Sequence, residues 1–361
     1  MVWNPFKIIP KKFLGIDIGT STIRIVELSR QGQRKKLENY GEITIGSACT
    51  KPFRSSEKSD FLLSSQNISQ AILAIIKETK IQTRKAVFSL PDFSTFYTNF
   101  ELPLMPKKEL SAAIQFEARQ HIPLLMEEVI LDWQVIEKKD FSNSQKTKLK
   151  ILLLAIPHEV VNQYREISKL CGLELVALEA EAFGLVRSLI KDDDKKKIIL
   201  VLEIGDRSTT CSLIDNEVLN ISHSLDMSGS KLTEAISRGM SIDHKNAEYL
   251  KKEYGLKETE EEKNIAKILL PLIDSILNDI EKITQNFYRA EKKEVEKIII
   301  AGGTAQLPGL KNYFEQVLKK EIEIANPFAG IFYPPILEKP LKEIGPGHSI
   351  VVGMALRGLE T

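Results

Sequence analysis

One strand–turn–strand pattern occurs twice in this chain, once in each half. Residues 14–27 read LGIDIGTSTIRIVE, and residues 200–213 read LVLEIGDRSTTCSL. Each copy has an apolar run, an acidic residue, Ile-Gly, small polar residues and a second apolar run, which predicts two strands joined by a tight turn. A unit that recurs once in each half predicts two structurally related domains, and the repetition is more specific than either copy alone.

Length and composition agree with this division. A chain of 361 residues exceeds the size of one ordinary core, so we expect two domains. The formal net charge of +1 gives no overall attraction to nucleic acid or to an anionic membrane. Three scattered cysteines without a CxxC pair do not indicate a disulfide framework and favour a reducing compartment. No apolar run approaches the roughly 18 residues of a membrane span, so we expect a cytoplasmic protein.

The periodicity along the chain predicts an α/β fold with an insertion. Residues 93–172 alternate strands with two helices and predict a small α+β subdomain inserted into the first domain. The run KDDDKKK at residues 191–197 is typical of a solvated linker between domains. We therefore expect the following division: a first domain at 12–92 and 173–190, completed by a C-terminal helix at 345–361; an inserted subdomain at 93–172; and a second domain at 197–344.

The two turns have the chemistry of phosphate binding. Gly19 and Gly205 lack a β-carbon, so the backbone can come close to an anion. Turn amides and neighbouring hydroxyls can donate to phosphate oxygens; the hydroxyls are those of Thr20, Ser21, Ser208 and Thr209. Asp17 and Glu203 begin the turns and are the predicted carboxylates for a hydrated Mg²⁺. The alternative is a pair of plain β-hairpins, each with an acidic residue at its turn.

Two further motifs predict contacts to a nucleotide. Residues 298–309 read IIIAGGTAQLPG, in which a buried strand ends at Gly302, Gly303 and Thr304 before a helix predicted at 306–318. The double glycine permits a flat ligand to lie against bare backbone, and a helix N-terminus favours anions. Glu248 and Lys251 stand three apart on one helix face, where they either contact ribose hydroxyls or form a solvated ion pair.

Together these motifs resemble the actin, heat-shock-chaperone and sugar-kinase superfamily. The resemblance implies a fold of two duplicated ribonuclease-H-like domains with ATP in the cleft between them. It gives the first phosphate motif to residues 17–21, the second to 203–209, the adenosine motif to 302–304 and ribose contacts to Glu248 and Lys251. It adds Gly229 as a phosphate-contacting glycine, and it likens the helix predicted at 178–188 to the superfamily's connecting helix. Whether Glu179 or Glu181 supplies that helix's acid stays open.

Within that superfamily the chain resembles the PilM family of type IV pilus assembly proteins nearly end to end. Residues 116–135 (FEARQHIPLLMEEVILDWQV), 301–310 (AGGTAQLPGL) and 326–328 (NPF) carry the resemblance, together with the insertion. It implies an ATP-binding cytoplasmic scaffold that docks the N-terminal tail of a PilN-like membrane protein in a groove beside the insertion. The scaffold would contact other pilus components and lie at the inner membrane through its partner; whether it forms a homo-oligomer stays open.

Catalysis is the weakest part of this expectation. Glu203 stands where the superfamily usually has Asp, which moves the carboxylate one methylene outward, and the sequence shows no evident general base. We expect at most weak ATP hydrolysis and a structural role for the nucleotide. One alternative is a filament-forming division protein like FtsA. Such a protein should end in an amphipathic membrane-targeting helix, and residues 349–361 show little of that pattern. The other alternative is a small-molecule kinase, for which Asp206 is the candidate base.

Overall fold

The computed structural model describes residues 11–44, 64–139, 148–257 and 263–360. The strands in chain order are β1 Lys11–Ile18, β2 Thr22–Gln31, β3 Arg34–Thr44, β4 Lys85–Leu90, β5 Phe96–Pro103, β6 Val129–Lys139, β7 Lys148–Pro157, β8 Glu174–Ala180, β9 Ile198–Ile204, β10 Thr209–Asp215, β11 Val218–Leu225, β12 Lys297–Ala301 and β13 Glu321–Ile324. The helices are α1 Ser65–Glu78, α2 Lys107–His121, α3 His158–Leu170, α4 Glu181–Leu189, α5 Gly229–Met240, α6 His244–Glu253, α7 Lys263–Glu291, α8 Leu310–Leu318, α9 Glu338–Ile344 and α10 Ser349–Glu360.

The chain forms two compact units that contain matching sheets. The first unit comprises Met1–Leu90, Asn162–Leu189 and Asn326–Thr361, and the second comprises Pro91–Val161 and Ile190–Ala325. The sheet of the first unit has the order β3-β2-β1-β4-β8, and the main sheet of the second has the order β11-β10-β9-β12-β13. In both, three antiparallel strands are followed by two parallel ones. The duplication predicted from the repeat is therefore present in the topology.

The predicted insertion contains a small antiparallel sheet of order β5-β7-β6. Helix α2 packs Leu110, Ile114 and Ala118 into its core. A polar cluster fixes this sheet to β11 and α7 of the same unit. Lys150 is buried and donates to the side chain of Asn220 at 3.1 Å and to that of Glu291 at 2.7 Å, and Asn99 donates to the backbone oxygen of Asn220.

Helix α10 is the central helix of the first unit. Ten of its twelve residues are buried, and it packs on β1, β2, β4 and α4. Glycines permit this close packing: a β-carbon on Gly353 would lie 2.1 Å from the Gly184 carbonyl oxygen, and one on Gly15 would lie 2.1 Å from that of Val351. The described part of the chain contains no helix that is both long and apolar enough to cross a bilayer.

Local details correct several expectations. Helix α8 begins at Leu310 rather than at residue 306, because Pro308 and the left-handed Gly309 (φ 81°) intervene. Glu179 lies in strand β8, so the helix predicted from residue 178 begins only at Glu181. The run at 191–197 is not entirely solvated, because Asp194 is buried and paired with Lys297 at 3.1 Å.

Candidate functional site

The two predicted turns are closed by the same backbone hydrogen bond. The amide of Gly19 donates to the carbonyl oxygen of Thr22 at 3.0 Å, and the amide of Gly205 donates to that of Ser208 at 2.9 Å. In both turns a β-carbon on the glycine would lie 2.9 Å from that carbonyl oxygen, so a larger residue would strain the turn. The sequence repeat thus corresponds to one local structure, formed twice.

In the first unit, Asp17 lies at the end of β1 beside the turn. Its side chain is buried, and one carboxylate oxygen accepts a hydrogen bond from the Ser89 hydroxyl at 2.7 Å. The other oxygen faces the Arg24 guanidinium at 3.8 Å. Burial raises the pKa of Asp17, and the charge of Arg24 and the Ser89 hydrogen bond act against that rise. Thr20 and Ser21 are half-buried in the turn itself.

Arg24 is a site residue that the sequence analysis did not single out. It lies opposite Asp17 in the β1–β2 register, and directly opposed residues of an antiparallel pair share one face. Its Nε donates to the Glu42 carboxylate at 3.2 Å. The sequence could have identified this residue, because counting the hairpin pairs outward from the turn places residue 24 opposite residue 17.

The structure separates the two candidate acids of the connecting segment. Glu179 accepts a hydrogen bond from Arg187 at 2.9 Å and also pairs with Arg357 at 3.5 Å. Glu181 instead acts on Tyr164, a buried residue whose pKa is raised well above its usual value by burial and by the charges of Glu181 and Asp17. The charges of Glu181 and Asp17 therefore both act on Tyr164, whereas Glu179 forms ion pairs with arginines.

In the second unit, the predicted loops are joined to one another. The amide of Gly229 donates to the Gly205 carbonyl at 2.9 Å, and the amide of Thr304 donates to the Ile204 carbonyl at 3.2 Å. A β-carbon on Gly229 would lie 2.6 Å from the Thr304 hydroxyl oxygen. The glycine turn, the start of α5 and the double-glycine loop therefore form one joined surface.

The two glycines of the double-glycine loop have different surroundings. Gly302 has φ 88°, and a β-carbon there would lie 2.4 Å from the Ile204 carbonyl oxygen, so this position requires glycine. Gly303 is exposed, and a β-carbon there would meet nothing within 4 Å. The open side of Gly303 is the part of this loop that a flat ligand can approach.

The side chains around these loops differ in how accessible they are to a ligand. The Glu203 carboxylate lies between the two loops, with Oε1 2.6 Å from a β-carbon placed on Gly302 and Oε2 3.3 Å from one placed on Gly205. Ser208 is half-buried. Thr209 is fully buried, and its hydroxyl has no hydrogen-bond partner in the described part of the chain. In this arrangement Glu203 and Ser208 face the loops, and Thr209 faces the core.

The Glu248–Lys251 pair is not a solvated ion pair, and only part of it is accessible to a ligand. Lys251 is buried, and its ammonium group contacts three oxygens: the Gly229 carbonyl at 2.9 Å, the Thr233 hydroxyl at 2.7 Å and Glu248 at 2.7 Å. Burial lowers the pKa of Lys251, and the Glu248 carboxylate opposes that effect. Since an ammonium group has three donors, Lys251 is fully used in holding α5. Glu248 is half-buried and retains a face toward solvent.

The family model of the type IV pilus assembly protein PilM matches residues 15–359. The chain belongs to this family. A structure of a PilM–PilN type IV pilus biogenesis complex has a TM-score of 0.79 and 25% identity, covering 96% of this chain and 98% of that one.

More distant relatives agree on the fold. MreB5 of Spiroplasma citri bound to ADP has a TM-score of 0.53 and 14% identity, covering 96% of this chain and 95% of that one. The cell division protein FtsA of Streptococcus pneumoniae serotype 2 (strain D39 / NCTC 7466) is 22% identical over 351 residues, 87% of this chain and 75% of that protein. The expected actin-like two-domain fold and the PilM resemblance are both confirmed.

The predicted metal ligands fit a directly bound cation poorly. Asp17 turns one oxygen to Ser89 and the other to a guanidinium, and the Glu203 carboxylate lies against the backbone of two glycines. The described residues contain no group of three His, Cys, Asp or Glu side chains placed to hold a metal ion. The magnesium role of Asp17 and Glu203 therefore stays a prediction, and these contacts do not add support to it.

Proposed function

We propose that this member of the PilM family is an ATP-binding scaffold of type IV pilus assembly at the cytoplasmic face of the inner membrane. The observation that carries the proposal is the joined surface of the second unit, where Gly205, Gly229 and Thr304 meet. Three loops that are distant in sequence meet with backbone amides and bare glycines at their junction. That arrangement is suited to a phosphorylated ligand, because glycines leave room for phosphate oxygens and the positive end of the α5 dipole attracts them.

Each part of the surface has a role in the proposal. The Gly205 turn, with the Ser208 hydroxyl, and the dipole at the N-terminal end of α5 attract phosphate, since a helix N-terminus favours an anion. The open face of Gly303 receives the base, and Glu248 accepts hydrogen bonds from ribose hydroxyls. The turn of the first unit, with Gly19, Thr20 and Ser21, is a second phosphate-binding loop. Lys251 acts indirectly by fixing the Gly229 carbonyl and Thr233.

The proposed partner is the N-terminal cytoplasmic tail of a PilN-like membrane protein. Support comes from family membership and from the structural likeness to a PilM–PilN complex. Bound nucleotide would shape the tail-binding surface by favouring one conformation, and it can do so only through a difference in affinity between conformations. Hydrolysis is not required for this role, because a difference in affinity between conformations is sufficient.

The test is thermal unfolding of the purified protein with and without Mg²⁺-ATP, with phosphate release measured on the same sample. A raised melting temperature with negligible release is the expected result, because a ligand bound only by the folded state stabilises it. Gly303→Val should reduce the shift while leaving the ligand-free melting curve nearly intact, because a β-carbon at Gly303 meets nothing within 4 Å. An absent shift at millimolar ATP would contradict the proposal, and rapid release would favour an enzymatic role over a structural one.

Partner binding is tested with a synthetic PilN-like tail peptide in the presence and absence of nucleotide. We expect the peptide to bind and its affinity to depend on ATP. The FtsA-like alternative predicts filaments that sediment when ATP is added. In this structure α10 packs within the first unit and therefore presents no free apolar face to a membrane.

A further inference from the structure

Four positively charged residues at one end of the first unit's sheet have no carboxylate beside them. They come from the start of β1 and from the β2–β3 hairpin, and they are Lys11, Arg30, Arg34 and Lys35. In the part of the chain that the structure describes, none of the four lies within ion-pair distance of an acidic side chain. The hairpin segment at 30–36 reads RQGQRKK and contains no acidic residue. A chain with a formal net charge of only +1 therefore has a concentrated positive surface here.

Three of these cations form a row across neighbouring strands. Lys11 is opposite Arg30 in the β1–β2 register, and Arg30 is opposite Lys35 in the β2–β3 register. Directly opposed residues of antiparallel strands project from the same face with β-carbons roughly 5 Å apart, and like charges at such positions are destabilising. Arg30 donates from Nε to the Gly32 carbonyl at 2.8 Å, which positions its side chain without neutralising its charge. The row therefore costs stability that no ion pair within the described residues offsets.

The opposite face of the same strands is arranged differently. Lys12 and Lys36 are the next residues along β1 and β3, and both lie beside the Glu38 carboxylate, at 3.8 Å and 3.0 Å. Lys12 also faces Glu27 at 4.0 Å. The chain thus supplies carboxylates to the cations of one face and none to the row on the other. This contrast points to an anion outside the chain as the partner of the row.

Exposed apolar side chains lie next to these cations. The backbone amide of Phe332 donates to the Lys35 carbonyl at 2.9 Å, and the Cζ of Arg34 lies 3.8 Å from the centroid of the Phe332 ring. Phe332 is 45% exposed, and Ile336, four residues further along the chain, is 83% exposed. Cations together with exposed apolar side chains match the surface of an anionic bilayer, in which headgroups are charged and the acyl boundary is apolar. Nucleic acid would attract the same cations, but an aliphatic side chain such as Ile336 offers no stacking contact to a base.

We propose that this end of the first unit binds anionic phospholipid directly. Headgroup phosphates neutralise the row of Lys11, Arg30 and Lys35, and the side chains of Phe332 and Ile336 enter the boundary between headgroups and acyl chains. The inference goes beyond the proposed function, in which the tail of a membrane protein tethers the chain. It does not depend on bound nucleotide, because all five residues lie outside the glycine turns.

The experiment is flotation of the purified full chain with vesicles of phosphatidylcholine alone and of phosphatidylcholine mixed with phosphatidylglycerol, without nucleotide or tail peptide. The row variant is Lys11→Gln/Arg30→Gln/Lys35→Gln. The matched control is Lys267→Gln/Lys282→Gln/Arg289→Gln, which removes the same charges from exposed positions of α7 in the second unit.

We expect the wild type to bind only the vesicles that contain phosphatidylglycerol, and we expect added salt to weaken that binding. The row variant should bind about a hundredfold more weakly, because each cation near an anionic surface contributes about fivefold. The control variant should match the wild type. Ile336→Ser should weaken binding by about tenfold, since it removes an aliphatic side chain from the apolar boundary.

Thermal unfolding of the row variant distinguishes lipid binding from a structural role of the same cations. Removing directly opposed like charges should leave its melting temperature equal to that of the wild type or higher. The structural alternative is that the row stabilises the negative C-terminal end of α10, where a β-carbon on Gly358 would lie 2.6 Å from the side chain of Phe13. That alternative predicts a lower melting temperature with unchanged vesicle binding, a result that would overturn the inference.

Equal wild-type binding to both kinds of vesicle would also overturn the inference, as would equal binding by the row variant and the control. Binding of an RNA oligonucleotide through the row, without binding to anionic vesicles, would assign the surface to nucleic acid instead. Both triple variants should keep the wild-type response to Mg²⁺-ATP and to the tail peptide, so failure of the proposed function would appear in those assays and not in flotation. If the row variant does not fold, Arg30→Gln against Arg289→Gln decides, with an expected loss of about fivefold.

Discussion

The backbone amide of Gly229 donates a hydrogen bond to the carbonyl oxygen of Gly205 at 2.9 Å. This contact joins the second glycine turn to the start of α5, and Ser230 adds a parallel bond to the Asp206 carbonyl at 2.8 Å. The amides at the start of a helix usually lack partners, so two of them are used here to fix the loop. The geometry of the candidate phosphate site is thus determined by backbone contacts between segments distant in sequence.

Gly229→Ala should destabilise the second unit and weaken nucleotide binding, because its β-carbon would lie 2.6 Å from the Thr304 hydroxyl oxygen. Overpacking of this kind costs about 1–3 kcal/mol. Thr304→Ala removes the conflicting oxygen, so the double variant should regain part of the lost stability. Urea unfolding of both single variants and the double variant measures the coupling. Strictly additive effects would show that the two residues do not conflict.

Gly303→Val should leave the melting temperature nearly unchanged and weaken nucleotide binding by about tenfold or more, by filling the space expected to receive the base. Gly302→Val is the contrasting variant, since its β-carbon would lie 2.4 Å from the Ile204 carbonyl oxygen and its φ is 88°. That variant should lose stability outright. Differential scanning fluorimetry and ADP titration distinguish the two, and normal binding by Gly303→Val would show that the base lies elsewhere.

His348 should make the protein less stable as the pH falls below neutrality. The side chain is 1% exposed, and burial followed by the charge of Arg24 lowers its pKa from 6.5 to about 4. Between these values the unfolded chain binds more protons than the folded one, so stability rises with pH through this window and falls on acidification. The loss at pH 5 relative to pH 7.5 is about 2 kcal/mol.

The measurement is denaturant unfolding of the wild type, His348→Gln and His121→Gln at both pH values. His348→Gln should lack this part of the acid sensitivity, whereas His121→Gln, a change near the surface of α2, should follow the wild type. An unchanged pH dependence in His348→Gln would mean that other groups cause it. Comparing variants removes the contribution of the carboxylates.

Gly353→Val should unfold or strongly destabilise the first unit, because α10 approaches α4 so closely that a β-carbon would lie 2.1 Å from the Gly184 carbonyl oxygen. The helices would have to separate, at a cost of more than about 3 kcal/mol. Glu360→Ala on the same helix is the control, because its side chain is 48% exposed. The measurement is the urea midpoint of unfolding of each variant. A small loss of stability in Gly353→Val would show that the helices shift easily.

Much of the fold could be predicted because its signals are local. The two glycine turns close through bonds between residues three apart, so the pattern acid-Ile-Gly followed by a short polar segment is sufficient to specify them. Helix α2 at Lys107–His121 is one of the two helices predicted within residues 93–172, and its apolar residues recur at helical spacing before Pro123. Strand β13 was not predicted from the sequence, because its four residues (EIEI), two charged and two apolar, are too few to indicate a strand. They form a strand because β12 lies beside them.

The site residues divide in the same way. The types of residue at the glycine turns, the double-glycine loop and the Glu248–Lys251 pair were evident from the sequence. Their surroundings were not: Lys251 is buried because Gly229 and Thr233 from another helix surround it, and Asp194 in a charged run is buried because Lys297 reaches it.

The sequence by itself determined the duplicated strand–turn–strand units, the glycines that allow them and the family, because turn geometry and side-chain periodicity act over a few residues. The tertiary structure alone decided which glycine meets which loop, that Lys251 holds a helix, and that Arg24 faces Asp17. These properties depend on burial and on partners from distant segments, which local sequence does not encode.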